Sequence, residues 1–92
     1  SKKERNYYLK LKAMEDLGLI KDLELQKEFV LQDSFKLNNK TRRKITYKAD
    51  FSYVSTDDNT LHVVDVKGFR TDVYKLKKKL FEYKYQIELE EA

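Results

Sequence analysis

The residues of this chain most suited to chemistry are an aspartate and a lysine at the end of an apolar stretch, residues 61–68. The stretch reads L-H-V-V-D-V-K-G, which is typical of a short strand over residues 61–66 that a glycine ends. Because strand side chains alternate between faces, Asp65 and Lys67 point to the same side, about 7 Å apart. Such a pair is either a strand end that has reached solvent, or a metal ligand beside a cation that stabilises a phosphate.

A second carboxylate, Asp50, lies in a predicted strand at residues 45–54. The sequence T-D-D-N at residues 56–59 indicates a hairpin turn between this strand and the next one. A turn centred within that tetrapeptide places Asp50 directly across from Asp65, with their Cβ atoms about 5 Å apart.

The same register predicts how the rest of the hairpin packs. It pairs Phe51 with Val64 and Tyr53 with His62, so that apolar side chains line one face. Strand periodicity extends this face along the first strand of the hairpin, to Ile45, Tyr47, Ala49, Phe51 and Tyr53. We assign no catalytic role to His62, which is an ordinary strand residue in this register.

Two opposed carboxylates are destabilising unless something compensates their charge. At about 4 Å in a surface-like dielectric, the repulsion is about 4 kcal/mol. A bound cation would remove this cost. Diagonal ion pairs, Asp50 with Lys67 and Asp65 with Lys48, would do so equally well.

A third carboxylate, Glu4, begins a predicted helix that runs to Leu17 and stops at Gly18. Its apolar stripe contains Tyr7 or Tyr8, Leu11, Met14 and Leu17. Helical spacing from the tyrosines puts Glu4 on the core-facing side of the first turn. Ser1 and Glu4 also have the spacing of a capping box, so Glu4 is a site ligand, a helix cap, or both.

The remaining elements follow from periodicity. A strand is predicted for residues 23–31. A solvated connection is predicted for residues 35–43, where a basic cluster of Lys40, Arg42, Arg43 and Lys44 begins. Residues 72–82 predict a helix that Thr71 caps, and residues 83–89 predict a last strand. This strand, helix and strand form a βαβ crossover, so the last strand should run parallel to the one at residues 61–66.

Composition restricts the chemistry. With 92 residues, we expect one domain over residues 1–92, and its net charge of +4 suits a polyanionic partner. The chain has no cysteine and one histidine, so any metal must be a hard cation such as Mg²⁺, Mn²⁺ or Ca²⁺. No apolar run approaches the roughly 20 residues of a membrane span, and we expect an intracellular protein. The chain begins at Ser1 without a methionine, so we expect a trimmed protein.

The predicted element order is a helix, three strands, a helix and a strand. The first helix carries an acid, the second strand carries an acid and the third carries a D-x-K motif. This combination resembles the PD-(D/E)xK nuclease superfamily. In detail, the chain is similar to a family of small phage and prophage proteins of this fold without an assigned function. The resemblance spans nearly all residues and rests on S-K-K-E at residues 1–4, G-L-I at 18–20, Gln26, Y-K-A-D-F at 47–51 and D-V-K-G at 65–68. The proline of the superfamily motif is Ala49 here.

The resemblance implies an α/β (α+β) fold with a restriction-endonuclease-like αβββαβ core, in which helices flank a mixed four-stranded sheet. It implies that Glu4, Asp50, Asp65 and the backbone carbonyl of Val66 bind Mg²⁺ or Mn²⁺, which polarises a scissile phosphate and lowers the pKa of the attacking water. It also implies that Lys67 orients that water or stabilises the developing negative charge.

For partners, the resemblance implies DNA and leaves a homodimer possible, with no membrane. Lys75 and Lys79, one helical turn apart, are candidate phosphate contacts, although surface lysines with no such role would look the same. As a phage-encoded or prophage-encoded protein, the chain would act in the cytoplasm of the bacterial host.

Three functions are therefore compared. The first is a metal-dependent endonuclease that hydrolyses DNA, the second is a non-catalytic nucleic-acid-binding module with the same fold, and the third is a small protein-interaction domain. The carboxylates favour the first over the second, because a binding module gains nothing from acids where phosphate must sit. The modest net charge keeps the third open.

Overall fold

The computed structural model describes residues 1–66 and 69–92, and it has the predicted α+β architecture. Its elements in chain order are α1 (Lys2–Asp16), β1 (Ile20–Gln32), β2 (Phe35–Leu37), β3 (Lys40–Arg42), β4 (Ile45–Ser55), β5 (Leu61–Asp65), α2 (Asp72–Tyr85) and β6 (Leu89–Glu91). The main sheet has the order β1-β4-β5-β6, and β2 and β3 form a separate two-stranded sheet. Because β5 and β6 pair in parallel and the other pairs are antiparallel, the main sheet is mixed, as predicted.

The two helices cover opposite faces of the main sheet. Val63 packs in a cluster with Phe81 of α2, whereas Val64 packs in a cluster with Leu11 of α1. Successive strand residues point to opposite faces, so these two clusters lie on opposite sides of the sheet. The domain is therefore three layers deep, with the carboxylates of β4 and β5 at the level of the central layer.

The predicted register of the β4–β5 hairpin is correct. Phe51 pairs with Val64 and Tyr53 pairs with His62, and the rings of Tyr53 and His62 stack with their centroids 5.0 Å apart. The turn residues and the alternation of apolar side chains were therefore sufficient to align these two strands.

The predicted common face of β4 is wrong. Tyr47 and Ala49 pack in the α2 cluster, whereas Phe51 and Tyr53 pack in the α1 cluster. The change occurs at Asp50. Asp50 lies opposite Gln26 of β1, which has a left-handed φ of 56°.

The prediction of a strand over residues 83–89 is also wrong in its first half. Helix α2 continues to Tyr85, and Gln86 ends it in the left-handed conformation with a φ of 55°. Tyr85 packs against Phe29 and Phe81, at ring-centroid distances of 5.5 and 5.2 Å. Phe81 and Tyr85 are four residues apart and share one face of the helix, so tertiary packing outweighs the alternating pattern of a strand.

The segment predicted as a connection contains a small hairpin of its own. Strands β2 and β3 pair through three residues each. Asn38 and Asn39 join them with φ values of 51° and 62°, which is the left-handed pair of a type I′ turn. We call residues 35–42 the arm.

Candidate functional site

Asp50 and Asp65 meet where the β4–β5 ladder ends, one step beyond the pair formed by Phe51 and Val64. The Asp50 N–H donates to Asp65 Oδ1 at 3.3 Å, and the Val66 N–H donates to Asp50 Oδ2 at 2.8 Å. Each aspartate side chain thus accepts a hydrogen bond from the main chain of the other strand. The predicted meeting of the two acids is confirmed, although side chains rather than a continued ladder make the contact.

Asp65 is fully buried, with an exposed fraction of 0%, at the end of β5. Ionised carboxylates at such depth are stable only when hydrogen bonds, ion pairs or bound cations compensate the lost hydration. Its neighbour in the parallel ladder is Glu91 of β6, which brings another acid to the same strand end. Arg70, Tyr74 and Lys78 hold the Glu91 carboxylate, at 2.9, 2.7 and 3.5 Å.

Both oxygens of the half-buried Asp50 carboxylate accept hydrogen bonds. Gln26 Nε2 donates to Oδ1 at 3.2 Å, and the Val66 N–H donates to Oδ2. The left-handed conformation of Gln26 puts an amide side chain beside the carboxylate pair. Gln26 was not predicted as a site residue, and only its place in the family resemblance could have singled it out.

Glu4 reaches the aspartates from the first turn of α1. Ser1 caps this helix, because its Oγ accepts the Glu4 N–H at 3.1 Å. Burial raises the pKa of the Glu4 carboxyl, and repulsion by Asp50, a hydrogen bond shared with Asp50 and weaker repulsion by Asp65 raise it further. Glu4 therefore interacts with Asp50 and more weakly with Asp65, and it is at the same time part of the capped helix end.

A cleft lies beside Glu4, at the edge of the cluster that Glu4 forms with Asp50 and Asp65. It has a volume of about 370 Å³ between the start of α1 and the sheet, and its lining includes Glu4, Tyr8, Leu25 and Phe51. A larger cavity of about 760 Å³ lies elsewhere, between α2 and the ends of β1 and β4, and aliphatic side chains and Tyr83 dominate its lining. No carboxylate lines the larger cavity, whereas Glu4 lines the smaller cleft.

The carboxylates fit a hard cation by chemical type, since oxygen ligands with negative charge are what Mg²⁺ and Mn²⁺ prefer. The arrangement of these carboxylates in space is less suited to a cation. Among residues 1–66 and 69–92, no group of three or more histidine, aspartate or glutamate side chains is arranged to hold a metal ion. The hydrogen bonds that Asp50 and Asp65 make to the main chain account for part of this, because they direct carboxylate oxygens towards N–H groups.

The other predicted site residues differ in where the structure places them. Lys67 lies outside the described residues. Val66 follows β5 directly, and its N–H, rather than its carbonyl, is the group engaged with Asp50. Lys75 and Lys79 are exposed on α2, where they do not join the carboxylate cluster.

We expect Glu4→Gln to stabilise the metal-free protein at neutral pH. The pKa of Glu4 is higher in the folded state than in the unfolded chain. As the pH rises through the pKa of the unfolded chain, the native protein therefore binds more protons than the unfolded one. Wild type therefore loses stability from about pH 4.5 upwards, and the glutamine variant lacks this loss while keeping the capping geometry.

Thermal unfolding in a chelator measures this effect at acidic and neutral pH. The melting temperatures of wild type and variant should coincide at about pH 4 or below and differ at pH 7, with the variant higher. A variant less stable at pH 7 would mean that the favourable helix-dipole interaction outweighs the repulsion between the carboxylates.

The fold and the cluster together define a small α+β domain with an acidic centre at the end of its central hairpin. A family model described as "Protein of unknown function (DUF1064)" matches residues 1–91, and the chain belongs to this family. Comparison with curated proteins and with solved structures gives no match. Within the described residues, neither helix has the length and apolar character needed to cross a membrane.

Proposed function

We propose that this protein is a metal-dependent endonuclease that hydrolyses DNA phosphodiester bonds, a member of the PD-(D/E)xK superfamily acting in the cytoplasm of a bacterial host. The observation that carries the proposal is the convergence of Glu4, Asp50 and Asp65 from three separate elements, with Glu4 in the lining of a cleft. With the arm set aside, the element order is helix, three strands, helix and strand, and this order supports an αβββαβ core of that kind.

The carboxylates are assigned by their positions. Asp50 and Asp65 are the principal ligands for Mg²⁺ or Mn²⁺, with the Val66 carbonyl and Glu4 completing the set. A cation held there supplies Lewis-acid polarisation of the phosphate and a more acidic bound water. Cation binding also offsets the repulsion that raises the pKa of Glu4, so all three groups gain from it.

The basic residues are assigned to the phosphates. Lys67, two residues beyond Asp65, orients the attacking water or stabilises the charge that develops on phosphorus. Lys75 and Lys79 are exposed one turn apart on α2, which suits contacts to the phosphate backbone away from the reacting group. These contacts position DNA without reading its sequence.

The test of the proposal is cleavage of supercoiled plasmid DNA with Mn²⁺, comparing wild type with Lys67→Ala. We expect wild type to nick the plasmid and the variant to be slower by about 10² to 10³, the effect of losing one preorganised charge stabiliser. Metal affinity, measured by calorimetric titration, should be unchanged or slightly higher, because a neighbouring positive charge opposes cation binding. Lys75→Ala is the control, since it should weaken DNA binding and leave the rate at saturating DNA unchanged.

A second candidate is a non-catalytic nucleic-acid-binding module with the same fold. The hydrogen bonds that Asp50 and Asp65 make to the main chain favour it, because they give both carboxylates a structural role. The plasmid assay separates the candidates. A wild-type protein that binds DNA, leaves every linear, nicked and branched substrate intact, and shows no calorimetric signal with Mn²⁺ would be the binding module.

A further inference from the structure

The arm and its connection to β4 concentrate positive charge. The segment from Ser34 to Ile45 contains no aspartate or glutamate and five cationic residues: Lys36, Lys40, Arg42, Arg43 and Lys44. All five are exposed, and none of them takes part in an ion pair with any residue that the structure describes. Lys12 and Lys27, by contrast, each form an ion pair with a neighbouring glutamate.

The arm has two chemically different faces. Phe35 pairs with Arg42 and Leu37 pairs with Lys40, and opposed residues of an antiparallel pair share a face. This face therefore combines two cations with two apolar side chains, which are 46% and 52% exposed. The opposite face carries only Lys36 and Thr41.

The arm is joined to the sheet by short connections. Two residues link it to the end of β1, and Arg43 and Lys44 link it to the start of β4. The two asparagines of its turn adopt the left-handed conformations that fit the twist of a tight hairpin. Consistent with a projecting element, the protein is 53 Å long but only 28 Å and 18 Å in its other dimensions.

Strand β4 runs from the arm directly to the carboxylate cluster. Ten residues separate Lys40 from Asp50, which at the rise of an extended chain is at most about 33 Å. One turn of duplex DNA measures about 34 Å. The arm can therefore reach a groove about one helical turn away from a phosphate held at the cluster.

We propose that the arm is a duplex-binding element that places its Phe35, Leu37, Lys40 and Arg42 face against double-stranded DNA, about one helical turn from the carboxylate cluster. The proposal rests on the proposed nuclease function and adds the class of substrate to it. A two-stranded β-ribbon fits the major groove, where lysine and arginine contact guanine edges or phosphates and apolar side chains contact thymine methyl groups. Binding of single strands instead relies on a series of stacking aromatics, whereas this face has only Phe35.

The test is DNA binding in a chelator, measured by fluorescence anisotropy with a duplex of about 30 base pairs, about three turns. The double variant Lys40→Gln/Arg42→Gln is compared with Lys10→Gln/Lys21→Gln, which removes the same charge from exposed positions outside the arm. We expect the arm variant to bind about 10- to 100-fold more weakly, with its salt dependence reduced by about two phosphate contacts. The control should lose less than about threefold.

Two further measurements sharpen the result. A single strand of the same length should bind wild type more weakly than the duplex does and should not distinguish the two variants. Shortening the duplex to less than about one turn should abolish the difference between them, because the arm then has nothing to contact. Equal losses in both variants, or a preference for the single strand, would overturn the proposal.

Failure of the arm and failure of the nuclease give different results, because binding in a chelator does not require cleavage. A protein that never cuts DNA but loses duplex affinity in the arm variant retains the arm as proposed and overturns the nuclease. If wild type cuts DNA and the arm variant binds the duplex as tightly as the control variant does, the nuclease proposal is retained and the arm proposal is overturned.

Discussion

With Mn²⁺ present, the Asp50→Ala protein should leave supercoiled plasmid DNA uncut under conditions in which wild type nicks it. Asp50 is in contact with the whole cluster: it accepts hydrogen bonds from Gln26 and Val66 and raises the pKa of Glu4. A bound metal contributes several kcal/mol of transition-state stabilisation, so losing a principal ligand should lower the rate by about 10³ or more.

Metal-linked stability gives a readout that does not depend on cleavage. Millimolar Mn²⁺ should raise the melting temperature of wild type, because a ligand that binds only the folded state stabilises it by mass action. The rise should be absent in Asp50→Ala. Asp16→Asn, which removes an exposed carboxylate at the end of α1, should show the full rise.

The same substitution also affects the fold, so a second variant is needed. Alanine leaves the Val66 N–H without its acceptor, whereas Asp50→Asn can still accept one of the two hydrogen bonds. If Asp50→Asn folds with near wild-type stability in a chelator and still cuts DNA at the wild-type rate, Asp50 is a structural residue. The metal site would then have to be abandoned.

Phe81→Ala should have the largest effect on stability of any substitution considered. Phe81 is fully buried at the centre of the α2 cluster, with ring centroids of Phe29, Tyr47 and Tyr85 at 5.0, 5.7 and 5.2 Å. Truncating a phenylalanine in a packed core costs about 3–5 kcal/mol. Since small domains unfold with about 5–15 kcal/mol, the variant should lose a large share of its stability.

Tyr83 is the matched control on the same helix. It is two residues away and 80% exposed, so Tyr83→Ala should change the free energy of unfolding by less than about 0.5 kcal/mol. Urea unfolding of both variants gives the comparison. Phe81→Leu is added as a milder substitution that keeps most of the side-chain volume. Comparable losses for the tyrosine and the phenylalanine would contradict the helical packing of residues 72–85.

The sequence was sufficient for the elements with strong local signals. Ser1 and Thr71 cap the two helices as their side chains predict, since each accepts the N–H three residues on. Gly18, with a φ of 77°, stands just after α1. The turn at residues 56–59 and the flanking alternation fixed the β4–β5 register, and with it the meeting of Asp50 and Asp65.

The tertiary structure decided where two local patterns competed. The alternation of Tyr83, Tyr85, Ile87 and Leu89 fits a strand, yet the four-residue spacing of Phe81 and Tyr85 fits a helix. The aromatic cluster around Phe29 selects the helix, because both rings can be buried there at once. A strand from residue 83 would have pointed Tyr83 and Tyr85 to one face and taken Tyr85 off the helical face that it shares with Phe81.

The position of the site itself depended on a backbone feature without a sequence signature. Gln26 adopts a left-handed conformation that glycine or asparagine usually occupies, and no residue around it indicates this. This conformation places the Gln26 side chain beside Asp50, where the apolar side chains of β4 change from the α2 cluster to the α1 cluster. Local propensities determined which acids could meet, whereas the packing of α1 and α2 on opposite faces determined how their carboxylates are held.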